Sequence, residues 1–292
     1  MLPPRISQLP DMTICNCVAE ISQLIAGEMD SGDRIGGIGE ESITDYMLMR
    51  LNERIFRIRI VGFNKFSKYR EKRNGADWEG WIRARSGRSI GIRVQAKKLF
   101  SNRLYKSLYA NNKARTRQVN KLKREAERVN GSPLPIYMFY NNDGISANPA
   151  YRLELCAKCP FPKSVWGCSI SNAEEIRQKI LEKTREFEEI ELVSRPWCCM
   201  FCTSRMIGYP TDNFSEQIEI VDVIYSFLRQ FGETIQIKPE IYQELPNYVE
   251  KTIKLFDQIG SYSEEETYWL EHMEFLHKNF GDLKILALIE EK

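Results

Sequence analysis

Only two histidines occur in the 292 residues, His272 and His277. They lie five apart, so on a helix they do not share a face, and both fall in an acidic stretch. Histidine-centred acid–base chemistry and histidine-rich metal sites are therefore set aside. Long apolar runs are absent as well, and none is long enough to span a bilayer. The start, MLPPRISQLPDM, has prolines where an apolar signal core would have to stand. A cytoplasmic protein with no membrane role is expected. No glycine-rich phosphate loop, GxSxG elbow or dinucleotide fingerprint stands at a strand-to-helix position. Internal repeats and low-complexity tracts are also missing.

Net charge is small, +2 from 42 basic and 40 acidic residues, but it is unevenly spread. Between Met47 and Arg128 there are 24 Lys or Arg against 6 Asp or Glu, which leaves 18 basic and 34 acidic residues for the rest of the chain. A basic block set against an acidic remainder predicts a phosphate-rich partner for the block. The bland alternative is a series of solvated helix faces.

The hydrophobic period changes along the chain. Residues 1–38 read as an N-terminal extension with a weakly helical stretch near Cys17–Ala26. GEESITDYMLMRLNER then places Ile43, Tyr46, Met47 and Leu51 on one helical stripe, with acids at its positive end. Phe56, Ile58 and Ile60 alternate with arginines as in a strand. A polar loop, NKFSKYREKRNG, follows. Ala76–Ala84 and Ser89–Lys97 read as a hairpin, Asn111–Val129 as an exposed basic helix, and PLPIYMFYNN as a buried strand. The core region, 39–150, thus runs helix, three strands, helix, strand. Residues 151–210 form a cysteine-containing region with a charged helix at Asn172–Glu189, and 211–292 an acidic, mainly helical C-terminal region. The expected fold is α/β, a central mixed sheet flanked by helices.

Chemistry concentrates in GADWEGWIRARSGRSIGIRVQAKK, Gly75 to Lys98. Residues two apart on a strand share a face, which pairs Asp77 with Glu79 and Gln95 with Lys97. A tight hairpin brings those two strand ends together. Two carboxylates, a carboxamide and an ammonium on a small volume suit a hard cation such as Mg²⁺ or Mn²⁺ acting on a phosphodiester. The alternative is polar edge-strand residues beside a solvated lysine.

These residues resemble the PD-(D/E)XK nuclease superfamily, in the Mrr-like variant where glutamine replaces the acid of the second motif. VQAKK resembles that variant's second-motif strand. EES-ITD, GADWE and QAK together resemble an uncharacterised bacterial family with this core. The similarity covers roughly residues 40–140 and implies a restriction-endonuclease-like core. By resemblance, Asp77 is the metal-binding aspartate and Gln95 and Lys97 are the second-motif pair. The first-helix acid falls at Glu41 or Glu40, with Glu41 preferred; Glu79 has no fixed counterpart in that pattern and is read as a further metal ligand. Gln118 matches a position where related nucleases carry a polar residue. The implied activity is metal-dependent cleavage of DNA in restriction or antiviral defence. An RNA-directed nuclease and a nucleic-acid-binding module with a decayed core stay open.

Around that core, Lys98, Arg103, Lys106, Arg115, Arg117, Gln118 and Lys121 are expected to meet nucleic acid, mostly through phosphate. A homodimer is expected because cutting a duplex needs two sites, and the acidic C-terminal region could take a regulatory protein partner. Eight cysteines are too few for a disulfide framework in a chain of this length. Cys156-x-x-Cys159 and Cys199-x-x-Cys202 have the paired spacing of a structural Zn²⁺ site. Buried free thiols are the alternative.

Overall fold

The computed structural model describes residues 14–34, 37–55, 62–84, 86–109, 115–129, 132–142, 163–202, 219–231, 245–246 and 249–250. In chain order these form α1 (Ile14–Arg34), α2 (Glu40–Ile55), β1 (Gly62–Lys65), α3 (Lys68–Asn74), β2 (Trp78–Arg83), β3 (Ser89–Lys98), α4 (Arg117–Glu127) and β4 (Leu134–Tyr140). Then follow β5 (Cys168–Asn172), α5 (Ala173–Leu181), α6 (Phe187–Leu192), β6 (Arg195–Pro196) and α7 (Ile220–Phe231). Short 3-10 turns cover Lys163–Gly167 and Trp197–Phe201.

The strands make one sheet in the order β1-β2-β3-β4-β5-β6. β3 and β4 are parallel and the other neighbours antiparallel. A parallel pair cannot be joined by a hairpin, and α4 lies in the connection between these two. The fold is α/β, a central mixed sheet flanked by helices. No helix among the described residues is long and apolar enough to cross a membrane.

All ten residues of β3 are buried, including Arg93, Gln95, Lys97 and Lys98. Strand alternation divides them between two faces of different chemistry. Ile90, Ile92, Val94 and Ala96 join Trp78, Ile136 and Met138 on a face packed by α1 and α2. There the Thr44 Oγ1 and Tyr140 hydroxyls lie 2.9 Å apart in a hydrogen bond. Trp78 meets Trp197 edge-on at 6.4 Å. Each fully buried aliphatic side chain here stabilises the fold by about 1.5–3 kcal/mol. Gly91, Arg93, Gln95 and Lys97 occupy the opposite face, under α4, where Arg93 Nη1 donates to the Glu125 carbonyl at 2.6 Å.

Several elements differ from the sequence expectation for definable reasons. The stretch read as weakly helical within an extension is a 21-residue helix, with Val18, Ile21, Ile25 and Met29 wholly buried. The loop NKFSKYREKRNG contains α3, none of whose residues is buried, so apolar periodicity had nothing to report. Its ends are local instead: Ser67 accepts from the Arg70 amide, and Gly75 closes the helix at φ 74°. The charged helix of 172–189 is two helices, because Lys183 turns the chain at φ 64° between α5 and α6. The strand expected at Phe56–Ile60 lies outside the described residues, and β1 begins at Gly62.

β5 and β6, from the cysteine-containing region, extend the same sheet. α7 buries Val221, Ile224, Phe227 and Leu228. Its start is held to the β2–β3 hairpin by Arg88, which donates to Asp222 from both Nη1 (2.8 Å) and Nη2 (2.6 Å) and to Glu219 from Nη2 (2.7 Å).

Candidate active site

Asp77 stands one residue before β2, and its amide donates to the Val94 carbonyl at 2.8 Å. The β2–β3 register pairs Trp78 with Val94 and Glu79 with Arg93; Asp77 lies just past the end of that ladder, set beside Gln95 by their side-chain hydrogen bond. Across β3 the register pairs Gln95 with Tyr137 and Lys97 with Phe139. Asp77, Gln95 and Tyr137 therefore form one row across three strands, with Lys97 two residues further along.

Hydrogen bonds hold the row. Asp77 Oδ2 accepts from the Ala96 amide at 2.6 Å and from Gln95 Nε2. Gln95 Oε1 accepts from Gln118 Nε2 at 2.7 Å, which ties α4 to the row. Asp77 Oδ1 receives no hydrogen bond from the described residues. Gly75 makes the close approach possible. A Cβ there would stand 2.9 Å from the Leu122 amide nitrogen and 3.0 Å from the Gln118 carbonyl. The φ of 74° is also one that other residues rarely adopt.

Of the two acids that open α2, Glu40 is the one turned toward Lys97. Its Oε2 accepts from the Lys98 amide at 2.9 Å and from Ser107 Oγ at 3.1 Å, and its Oε1 lies 3.5 Å from Lys97 Nζ. Glu41 faces outward and pairs with exposed Lys68 at 3.0 Å. Glu79 shares the Asp77 face but is engaged: Arg93 Nε donates to its Oε2 at 2.7 Å, Arg93 Nη2 also contacts that oxygen, and Trp81 Nε1 donates to Oε1 at 2.8 Å. The structure thus brings together Asp77, Gln95, Lys97 and Gln118, and leaves Glu41 and Glu79 out of that group.

Two residues that sequence reasoning missed face the same place. Glu71 of α3 is half-buried and shares the field of Lys97 and Glu40. Its one signal was being the sole acid in a basic run. Tyr137 is fully buried and senses both Asp77 and Glu40. Nothing in its sequence surroundings distinguishes it from a core tyrosine.

Electrostatics follow from this crowding. Burial pushes the Asp77 carboxyl up to about 8, helped by the negative charges of Glu40 and Glu71 and opposed by Lys97 and the Ala96 amide. Glu71 is raised for the same leading reason, burial, with Lys97 opposing. Lys97 opposes the rise of both Asp77 and Glu71, and Lys68 also opposes that of Glu71, yet burial and the crowding of Asp77, Glu40 and Glu71 prevail. A hard divalent cation suits such an oxygen-lined pocket. Among the described residues, no three His, Cys, Asp or Glu side chains are grouped to hold a metal ion by themselves. Of the Asp77–Gln95 pair, Asp77 Oδ1 is the oxygen left open, since the Gln95 carboxamide donates to Asp77 and accepts from Gln118.

The candidate nucleic-acid contacts are scattered in character. Lys106 and Arg117 are exposed, with Lys106 Nζ 4.5 Å above the Phe100 ring. Arg115 is half-buried 5.8 Å over Tyr109, and Arg103 pairs with Glu188 at 2.6 Å. Lys121 donates to the Lys72 carbonyl. Lys98 is buried and donates to the Ile38 carbonyl at 2.9 Å. Of the zinc candidates, Cys199 and Cys202 are buried and form no disulfide, and Cys156 and Cys159 lie outside the described residues.

The chain belongs to a family described as being of unknown function (DUF6615), whose sequence profile matches residues 14–279. No curated protein matches it.

Proposed function

We propose that this DUF6615 chain is a metal-dependent nuclease with a restriction-endonuclease-like core, acting on DNA at the Asp77–Gln95–Lys97 row. The observation that carries the reading is the Asp77 carboxyl itself. It is partly buried, flanked by Glu40 and Glu71, held on one oxygen by the Ala96 amide, and bears its other oxygen unbonded among the described residues. A carboxyl raised by burial among other acids, with one oxygen left open, marks a functional group more than a structural one.

Each residue then has a physical task. Asp77 Oδ1 and the Gln95 carboxamide oxygen are the ligands for Mg²⁺ or Mn²⁺, with Gln95 turning its oxygen from Gln118 toward the site. When bound, the cation supplies the charge that polarises a phosphate oxygen and acidifies a bound water. Lys97, nearly inaccessible and held near Glu40 at 3.5 Å, presents a fixed ammonium to charge developing on the phosphate. Glu40 orients that ammonium while its other oxygen is anchored to the Lys98 amide. Lys106 and Arg117 give sequence-independent phosphate contacts near the end of β3 and the start of α4.

The test is cleavage of plasmid and linear duplex DNA by the full chain, with Mg²⁺ or Mn²⁺ and then with EDTA. Asp77→Asn and Lys97→Gln run alongside. Metal-dependent cutting that each substitution lowers at least a hundredfold, with melting temperatures retained, supports the reading. Cutting that survives both substitutions refutes the site. DNA binding without cutting of DNA or RNA favours the decayed-core alternative.

A further inference from the structure

The hydroxyl of Tyr137 has no hydrogen-bond partner among the described residues, although the atom is buried. Buried hydroxyls in folded proteins are nearly always satisfied, by protein or by ordered water. Leaving one dry costs about 1–3 kcal/mol in measured cases. A tyrosine in the middle of a central strand could be phenylalanine at no loss of packing, so the retained oxygen calls for a partner.

Geometry limits what that partner is. β4 register sets Tyr137 beside Gln95 on the face that carries Asp77 and Lys97. Its ring lies 6.1 Å from that of Phe139 with an interplanar angle of 23°, which fixes the ring plane within the row. The acids whose charge reaches the hydroxyl are Asp77 and Glu40. Neither hydrogen-bonds to it directly: Asp77 Oδ2 is taken by Ala96 and Gln95, and Glu40 by Lys98 and Ser107. A phenol keeps its proton at ordinary pH, so the hydroxyl is available as a donor.

We propose that Tyr137 is a positioning residue whose hydroxyl donates to a buried water, and that this water bonds in turn to the Asp77 carboxyl. It rests on the nuclease reading only for what the carboxyl is used for. The water itself follows from the orphaned hydroxyl and from the row that sets Gln95, itself bonded to Asp77, next to Tyr137. A bridging water would satisfy both groups at little cost. It would also fix the direction of the Asp77 oxygen that Ala96 and Gln95 leave unbonded, and such supporting contacts around a metal ligand are commonly worth 10–100-fold in affinity or activity.

Two measurements test this. A high-resolution crystal structure of the full chain is expected to show an ordered water within hydrogen-bond distance of Tyr137 Oη and an Asp77 oxygen, and to lose it in Tyr137→Phe. A Tyr137 hydroxyl bonded directly to protein, or a dry one, overturns the proposal. Tyr137→Phe is expected to keep or raise the melting temperature while single-turnover cleavage of plasmid DNA and Mn²⁺ affinity each fall at least tenfold. A purely packing role predicts the opposite, no change in either quantity, and that result also overturns it. If the wild-type chain cuts nothing, the nuclease reading fails, and the crystal structure alone decides whether the water is there.

Discussion

Replacing Asp77 by asparagine should stabilise the metal-free protein, and by an amount that depends on pH. In the unfolded chain this carboxyl loses its proton near the ordinary value of 3.8, whereas in the folded protein it does so at about 8. Between those limits the folded state holds a proton that the unfolded state has released. Stability therefore falls as pH rises through the window, and above it the full cost of a buried carboxylate is present. At about 1.4 kcal/mol for each pH unit, a window of this width sets a ceiling of about 6 kcal/mol. Asp77 is only partly buried by exposed area, and solvent near it screens the charge, so about 1–3 kcal/mol is the effect to expect. Asparagine keeps an acceptor for the Ala96 amide and carries no charge, so the variant should lack this slope. Urea unfolding at pH 5, 6.5 and 8 in EDTA measures it. The two proteins should nearly coincide at pH 5, with the variant ahead at pH 8. Adding Mg²⁺ at pH 8 should then restore the wild type and leave the variant unchanged, because only the carboxylate gains a cation. Parallel stability curves for the two proteins would refute the account of the Asp77 pocket.

Further substitutions separate neighbouring ideas. Glu40→Gln should lower cleavage at least tenfold through Lys97, whereas Glu41→Gln, on the exposed Lys68 pair, should change cleavage and stability by no more than about 0.5 kcal/mol; the rate ratio of the two variants is the readout. Gly75→Ala meets both a left-handed φ and the backbone of α4, and should cost about 1–3 kcal/mol by chemical denaturation. Arg93→Met leaves the Glu79 carboxylate buried without its cation and should cost about 3–5 kcal/mol, with Glu79→Gln in the same chain recovering much of it.

Much of the central sheet was legible in the chain because its signals are local. Alternation along GADWE and VQAKK is a property of extended backbone, so Asp77, Gln95 and Lys97 could be assigned to one face without a structure. The helical spacing of Ile43, Met47 and Leu51 likewise announced α2. The same logic misled at Glu79. It does share the face of Asp77, but the register sets Arg93 directly across from it, and that contact belongs to the neighbouring strand.

What the sequence alone determined is which residues share a strand face, and with it the juxtaposition of a carboxylate, a carboxamide and a lysine. Tertiary structure decided which acids join them. Choosing Glu40 over Glu41 depends on how the first turn of α2 meets the end of β3, a contact between residues 58 positions apart. Glu71 depends on a helix made by its caps rather than by apolar period. Tyr137 depends on a parallel pairing that no local pattern encodes. Strand faces follow from the backbone of consecutive residues, whereas these three placements follow from packing between elements that meet only once the chain is folded.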